Sequence, residues 1–348
     1  MPYDWAYYSE KYKEEKYAYK EEDLKPYFEL ERVKKGVFGL ATDLYGIKFV
    51  PNKELPVYHK DVDLFEVYDA DDKFMGLLYT DFFPRKSKRQ GAWMTEFKGQ
   101  YYNTDGTDSR PLISLVMNFT PPTGDGPALL TFEEVKTFLH EFGHALHGLL
   151  SDVPYESLSG TNVYRDFVEL PSQIMENFAS LPEFLNNTAI HYETGEVIPA
   201  ELVNKLKASE QYLAAYSCIR QLSFGYLDMA WHGITEAFDG NVIEFEKNAW
   251  KKTQLFPSID GCCMSTHFTH LFAGGYAAGY YGYKWAEVLD ADAFSVFQEA
   301  GGINAEVASR FRENILSKGS TKHPMTLYKA FRGSAPKTDA LLKRDGIK

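Results

Sequence analysis

The sequence predicts a mainly α-helical protein with a small β-sheet placed ahead of its largest helical region, and three observations carry that expectation. From Thr131 to the end, apolar residues recur at helical spacing with few interruptions. Between about residues 61 and 119 the pattern changes to short runs rich in β-branched and aromatic residues. The first long helix after that region carries His140-Glu141-Phe142-Gly143-His144, which places two histidines four residues apart on one helix face.

Taken in order, residues 1–60 read as mainly helical and strongly charged at first, with Tyr17 to Glu31 mixing aromatic and charged side chains. Leu64-Phe65-Glu66-Val67-Tyr68, Met75 to Tyr79 and Leu112 to Phe119 read as strands. Asp69-Ala70-Asp71-Asp72 reads as a hairpin turn and Asn103 to Ser109 as a polar loop. Thr131 followed by Glu134 is a capping-box signature for a helix start. Behind it, Val135, Phe138, Leu139, Phe142, Leu146, Leu149 and Leu150 form a wide apolar stripe, so this helix should be substantially buried. Apolar residues at 167, 170, 174 and 178 predict a second buried helix, which Pro171 either kinks or marks in its first turns. Pro199 heads a long helical segment through Met229, Phe256 to Thr266 is an irregular loop, and Gly301-Gly302 separates helices ahead of an amphipathic stretch from Asn304 to Leu316. With no internal repeat, low-complexity tract or linker in view, one domain is expected over 1–348. Its parts are a helical 1–60, a small β-element at 61–119 and a helical 131–348 that carries the motif.

Composition narrows the function classes. A chain of 348 residues can bury one large core or two smaller ones. A net charge of −12 argues against nucleic-acid binding, which needs a basic footprint, and weakly favours cationic peptides by steering. No apolar run reaches the roughly 18 residues of a membrane span. Cys218, Cys262 and Cys263 are odd in number and two are adjacent, which suits free thiols in a reducing compartment and offers no thiolate zinc pattern. The N-terminus lacks the charged and apolar regions of a secretory leader, so a cytoplasmic location is expected, with the reservation that a shortened chain loses such a leader.

The motif names a metal and a reaction class. His140 and His144 can offer ring nitrogens to one zinc ion, while Glu141 projects from a neighbouring sector where it can accept a proton from water. A chance match arises in roughly two of a hundred chains of this size, and on a polar surface helix it would mean nothing. Here the helix is apolar, and buried histidines need partners such as a metal. Gly143 and Gly148 each cost about 1 kcal/mol inside a helix, which points to close approach of backbone, metal or substrate. The third ligand has two candidates. His147 lies three residues after His144 but about 10 Å along the axis from His140, and is better read as a core or ring-orienting histidine. Asp166, Glu169, Gln173 and Glu176 recur along one face of the second helix; Glu169 fits the carboxylate of a His₂Glu site, with Asp166 and Glu176 placed to orient the histidine rings. The plainer reading of those acids is pairing with Arg165 and other cations.

A third segment, His267 to Tyr283, interleaves glycines with His270, Tyr276, Tyr280 and Tyr283. Neutral phenol or imidazole donors can stabilise the negative charge that amide hydrolysis builds on oxygen. Gly274 and Gly275 permit unusual dihedrals and close substrate approach. The alternative is an aromatic stripe that belongs to the core.

The motif from His140 to His147, the segment from Ser159-Gly160-Thr161 to Gln173 and the run from His270 to Trp285 together resemble the thimet-oligopeptidase family of zinc metallopeptidases, of the bacterial oligopeptidase A and peptidyl-dipeptidase type. Asp4-Trp5-Ala6-Tyr7-Tyr8, Leu24-Lys25-Pro26-Tyr27-Phe28, Gly91-Ala92-Trp93 and Phe331-Arg332-Gly333 extend the resemblance over essentially the whole chain. It implies a helical zincin-like metallopeptidase catalytic domain, one zinc held by His140, His144 and Glu169, and Glu141 as base. It further implies that His270, Tyr276, Tyr280 and Tyr283 contact substrate or stabilise the intermediate. Family members are about twice as long, so the resemblance maps this chain onto their C-terminal half. Their N-terminal half forms the opposite wall of a channel that admits short peptides, and the expectation is a shortened chain that lacks it.

Two functional classes follow. The first is a zinc peptidase acting on short peptides; the second is a peptide-binding module, or an inactive half of such an enzyme, that keeps the fold without turnover. Retention of Glu141 favours the first. The basic stretch from Arg85 to Gln90, leading to Gly91 and Ala92, is a candidate edge at which a peptide backbone adds to the sheet. Endo-cleavage and dipeptide release are not separated by any of these motifs; Arg165, Lys284, Arg310 and Arg312 are all nominees for holding a substrate's free carboxylate.

Overall fold

The computed structural model describes residues 1–17, 20–122, 124 and 126–348; of the stretch Tyr17 to Glu31, positions 18 and 19 lie outside the described residues. The chain begins with α1 (Trp5–Tyr17), α2 (Glu21–Leu24) and α3 (Leu30–Tyr45). The Glu29 carboxylate accepts the amides of Glu31 and Arg32 to start α3, and Gly46, at φ 72°, ends it in the left-handed conformation that glycine adopts without strain. Helix therefore stops well short of residue 60. A strand, β1 (Lys48–Pro51), occupies part of the segment expected to be helical, its register set by pairing with a later strand from Lys48↔Tyr68 to Pro51↔Phe65. Four residues are too few to display a period of two, which is why the pattern missed it.

Strands β2 (Val62–Tyr68), β3 (Phe74–Asp81), β4 (Trp93–Lys98), β5 (Tyr101–Tyr102), β6 (Asp108–Ser109) and β7 (Leu112–Val116) follow. The larger sheet runs β1-β2-β3-β7-β4; β3 and β7 are parallel and the other pairs antiparallel. Asp72, at φ 62°, closes the turn expected at Asp69–Asp72, and the short β5–β6 pair brackets the expected polar loop. Among the described residues β4 pairs only with β7, so it forms one edge of the sheet.

The rest is helical: α4 (Phe132–Leu149), α5 (Leu170–Glu176), α6 (Pro182–Thr188), α7 (Ala200–Ser209), α8 (Ala214–His232), α9 (Val242–Trp250), α10 (Thr269–Phe272), α11 (Tyr281–Glu299), α12 (Ala305–Phe311), a π-helical turn (Arg312–Leu316), α13 (Pro324–Arg332) and α14 (Asp339–Arg344). The capping box forms as read: Thr131 Oγ1 accepts the Glu134 amide at 3.1 Å, and Glu134 accepts the Thr131 amide at 2.8 Å. The motif helix α4 lies against β7, β4 and β3 with its stripe fully buried, and one apolar core joins residues from Leu24 to Phe331. Each fully buried Leu or Phe in it contributes about 1.5–3 kcal/mol.

The two helix glycines are explained by contact. A Cβ on Gly143 would stand 2.2 Å from the Pro171 carbonyl oxygen and 2.6 Å from Ser172 Cα, so α4 and α5 touch backbone to backbone. One on Gly148 would meet Ile113 Cδ1 at 2.4 Å, on β7. Two helical expectations need correction. The stretch 167–178 holds only the seven-residue α5, with Pro171 at its second position; residues 165–169 form turns instead. The segment from Pro199 to Met229 is two helices, broken where Leu213 takes φ 54°. A smaller aromatic cluster of Phe224, Leu227, Leu271 and Tyr280 packs against α8 apart from the main core.

Candidate metal centre

Helix α4 presents His140, Glu141 and His144 toward the start of α5, where Glu169 sits immediately before the first helical turn. Because Gly143 lets the backbones touch, Glu169 Oε2 lies 3.2 Å from Nε2 of both His140 and His144. Ligand atoms of these three residues lie within 4.8 Å of one another, the sole such group of three among the described residues. His140 Nδ1 lies 2.7 Å from Glu176 Oε1. A proton on Nδ1 donated to that carboxylate leaves Nε2 as an acceptor aimed at Glu169. With both rings neutral, two imidazole nitrogens and a carboxylate face one another as acceptors, a set whose natural partner is a cation, whether a proton or a metal ion.

Electrostatics agrees. Burial alone would push the Glu169 carboxyl up, yet the hydrogen bonds and charge of His140 and His144 hold it well below the usual carboxylate range. His140 is likewise held well above its ordinary value by Glu169 and Glu176 against the opposing effect of burial. The site thus favours positive charge held against a carboxylate. Glu141 is buried beside it, and burial pushes its carboxyl up while His140 and His144 oppose that shift.

The donors expected on the third segment separate into two groups. The Tyr276 hydroxyl donates to Glu169 Oε1 at 2.5 Å, and its ring stacks on Tyr283 at 4.9 Å between centroids. Burial and the Glu169 charge raise both phenols far above the ordinary tyrosine value, so both stay neutral donors. The exposed His270 ring lies 5.9 Å from that of Tyr276 and 6.5 Å from that of Tyr283. Tyr280, expected to contact substrate, is instead 8% exposed in the small aromatic cluster, where burial pushes its phenol up to about 12.

A cleft of 320 Å³ collects His140, Glu141, His144, Glu169, Tyr276 and Tyr283, with Ala92, Gly274 and His270 also on its walls. Gly91 and Gly275 are not on those walls: Gly91 accepts from the Asn118 side chain, and Gly275 lies against the Arg165 guanidinium. The Arg85 to Gln90 stretch is not an edge strand. Arg85 and Lys88 both pair with the fully buried Asp81 and fasten the end of β3; the edge strand begins at Trp93. Asp166 does not orient a histidine ring. Its place in the turn before α5 directs it to the Tyr281 hydroxyl at 2.8 Å. His147 is fully buried in the core with neither ring nitrogen hydrogen-bonded among the described residues, and burial lowers it to about 3.

Sequence reasoning missed Met94 and Val168, apolar cleft walls that no periodicity singles out. Arg165, nominated with three other cations, lines the cleft over the Tyr276 ring at 4.8 Å and has no ion-pair partner among the described residues. The other nominees are engaged elsewhere: Lys284 with Glu287, Arg312 with Asp69 and Arg310 with the Phe331 carbonyl. Two roomier cavities, of 610 and 720 Å³, lie under loop 256–266 and between α3 and β1–β2. Among the described residues neither holds a trio of metal-ligating side chains, which only the smaller cleft brings together.

A histidine pair on a buried helix, a carboxylate from the turn before the next helix and an adjacent buried glutamate match the His₂Glu ligand set and neighbouring carboxylate of the zinc-peptidase motif. The chain belongs to peptidase family M3, whose family model matches residues 1–347. It is 44% identical over 350 residues to oligopeptidase A of Escherichia coli (strain K12), covering 100% of this chain and 52% of that protein. It is 42% identical over 348 residues to dipeptidyl carboxypeptidase of Salmonella typhimurium, covering 99% and 51%. The chain thus spans about half the length of these relatives. Among solved structures, the M32 carboxypeptidase of Deinococcus radiodurans R1 shares the fold with a TM-score of 0.54 at 15% identity, over 92% of this chain and 59% of that one. No helix among the described residues is long and apolar enough to cross a membrane.

Proposed function

We propose that this chain carries the catalytic site for zinc-dependent hydrolysis of peptide bonds in short peptides. The observation that carries the reading is the convergence of His140, His144 and Glu169 ligand atoms within 4.8 Å, with Glu141 buried on the same helix. Zinc bound to those three residues supplies a Lewis acid that polarises a carbonyl and lowers the pKa of a water from ~15.7 to ~7. Glu141 accepts the proton of the attacking water and returns it to the leaving amine. Its burial, by raising the carboxyl, suits it to both steps. Tyr276, Tyr283 and His270 donate hydrogen bonds to the carbonyl oxygen as charge develops there. Glu176 fixes the His140 ring from behind.

The outer edge of β4, with Trp93 and Met94 on the cleft wall beside Ala92, pairs with the substrate backbone through main-chain hydrogen bonds that are indifferent to sequence. Arg165 holds the free carboxylate of the substrate C-terminus. The opposite wall of the cleft comes from the further length that the relatives carry. Turnover of a quenched fluorescent peptide is the test. Glu141→Gln should lower kcat by about 10²–10⁴-fold while zinc content stays at one per chain. Full activity in that variant refutes the assignment of the base, and a wild-type protein that binds zinc and peptide without turnover refutes the enzyme reading.

A further inference from the structure

We infer that Asp228, far from the metal ligands in sequence and outside the cleft, is the positioning residue that sets the Tyr276–Tyr283 donor pair. Its side chain is fully buried on α8. Oδ1 accepts the Ala278 amide at 2.9 Å, and Oδ2 accepts the Tyr280 amide, also at 2.9 Å. His232, one turn on, approaches Oδ1 through Nδ1 at 2.7 Å. The carboxylate therefore grips the middle of an arc whose two ends carry the donor phenols. Tyr276 stands two residues before the first gripped amide and Tyr283 three residues after the second.

The arc needs such a grip. Ala278 is exposed at φ 52°, a left-handed conformation disfavoured for a residue with a Cβ, so the segment does not hold this shape by local preference. Its internal bonds, Gly279 to the Tyr276 carbonyl and Tyr283 to the Tyr280 carbonyl, close turns within the arc without tying it to the body of the protein. Its side chains are tied by Tyr276 to Glu169, Tyr280 to Gln221 and Tyr281 to Asp166, and the Gln173 side chain donates to the Tyr283 carbonyl; Asp228 is what holds the backbone amides of its middle. A carboxylate is required at the middle because two amide donors converge there on separate oxygens. An asparagine offers one oxygen, and its NH₂ would face the other amide, donor against donor.

This inference rests on the proposed role of Tyr276 and Tyr283, and the test separates the two. Asp228→Asn in the zinc-loaded chain should lower kcat by about 10- to 100-fold with KM within about threefold and zinc content unchanged, as expected for sub-ångström misplacement of a donor. In a Tyr276→Phe/Tyr283→Phe background the same change should cost no more than about twofold, because the groups it positions have lost their hydroxyls. An equal loss in both backgrounds, or wild-type kcat in Asp228→Asn alone, overturns the positioning role. If the double phenylalanine variant itself keeps wild-type kcat, it is the reading of the tyrosines that fails. Hydrogen exchange on the unsubstituted protein gives a readout independent of activity and of variant folding. Amides of Ala278 and Tyr280 should exchange at least about tenfold more slowly than that of Gly275. Equal, fast exchange at all three overturns the grip.

Discussion

Gly143→Ala sets two well-characterised effects against each other. On an open helix face the change would stabilise, because alanine exceeds glycine in helix propensity by about 1 kcal/mol. At this position the new Cβ would lie 2.2 Å from the Pro171 carbonyl oxygen and 2.6 Å from Ser172 Cα. Both neighbours are backbone, so no rotamer change relieves the overlap. Restoring an ordinary contact requires α4 and α5 to part by about 1 Å, and overpacking of this kind costs about 1–3 kcal/mol. Packing therefore cancels or outweighs propensity, and the protein should lose up to about 2 kcal/mol of stability. The larger consequence falls on the metal. Of the proposed ligands, His140 and His144 ride on α4 and Glu169 precedes α5, whereas a zinc site tolerates ligand displacements of only about 0.2 Å. Zinc affinity should fall by about tenfold or more, read by competition with a chromogenic chelator alongside urea unfolding. A variant that gains about 1 kcal/mol and holds zinc as tightly as the parent would refute this account of the interhelical contact.

Glu169→Ala should strip most of the zinc, whereas His147→Leu should retain it; the reverse pattern would show the wrong third ligand. His147→Leu should also reduce acid lability. The native ring resists protonation until about pH 3, whereas the unfolded ring takes a proton near 6.5, so stability falls as pH drops through that window. Relative to the variant, the metal-free parent should lose about 2 kcal/mol between pH 7 and pH 5 in urea titrations, and equal losses would contradict the buried neutral ring. Tyr283→Phe and Tyr276→Phe should each lower kcat more than they raise KM, by about 2.7–4 kcal/mol in the manner of a lost oxyanion donor; unchanged kcat in both assigns the pair to packing. If Arg165 holds the substrate carboxylate, the parent should cleave a free-acid peptide at least about tenfold more efficiently than its C-terminal amide, and Arg165→Ala should erase the difference. Equal internal cleavage of both peptides by the parent would exclude dipeptide release as its mode.

How far the sequence could be read depended on where each residue's partner lay. The motif helix was legible because its cap, its stripe and its two histidines all lie within twenty residues and obey one period. The Glu169 and Glu176 contacts were legible as spacing, but the same spacing wrongly recruited Asp166. Pro171 delays the start of α5, and periodicity says nothing about a turn that precedes a helix. Tyr280 illustrates a second limit. In a run of glycines and tyrosines, composition cannot say which ring faces the cleft and which faces Phe224 and Phe268. The basic run at Arg85 and Lys88 misled for a third reason: their partner Asp81 is buried at the end of a strand, and a charge run looks solvated until its counter-ion is seen.

The cleft is assembled from two kinds of support. Its metal-facing side rests on backbone contact between α4 and α5 and on the sheet beneath α4, through Gly143 and Gly148, and such contacts have little freedom to shift. Its tyrosine side hangs on a glycine-rich arc fixed by side chains: Tyr276 on Glu169, Tyr280 on Gln221, Tyr281 on Asp166, Gln173 on the Tyr283 carbonyl and Asp228 on two amides. Rigid placement suits groups that must hold one ligand geometry, whereas a segment tied at a few points can yield to peptides of different bulk before its phenols engage the carbonyl oxygen. The bond from Tyr276 to Glu169 couples the two sides, because the hydroxyl cannot serve a substrate oxygen and the Glu169 carboxylate with the same proton. In the proposed mechanism, donation to the substrate requires Tyr276 to leave Glu169, so that hydroxyl is released only when a substrate oxygen competes for its proton.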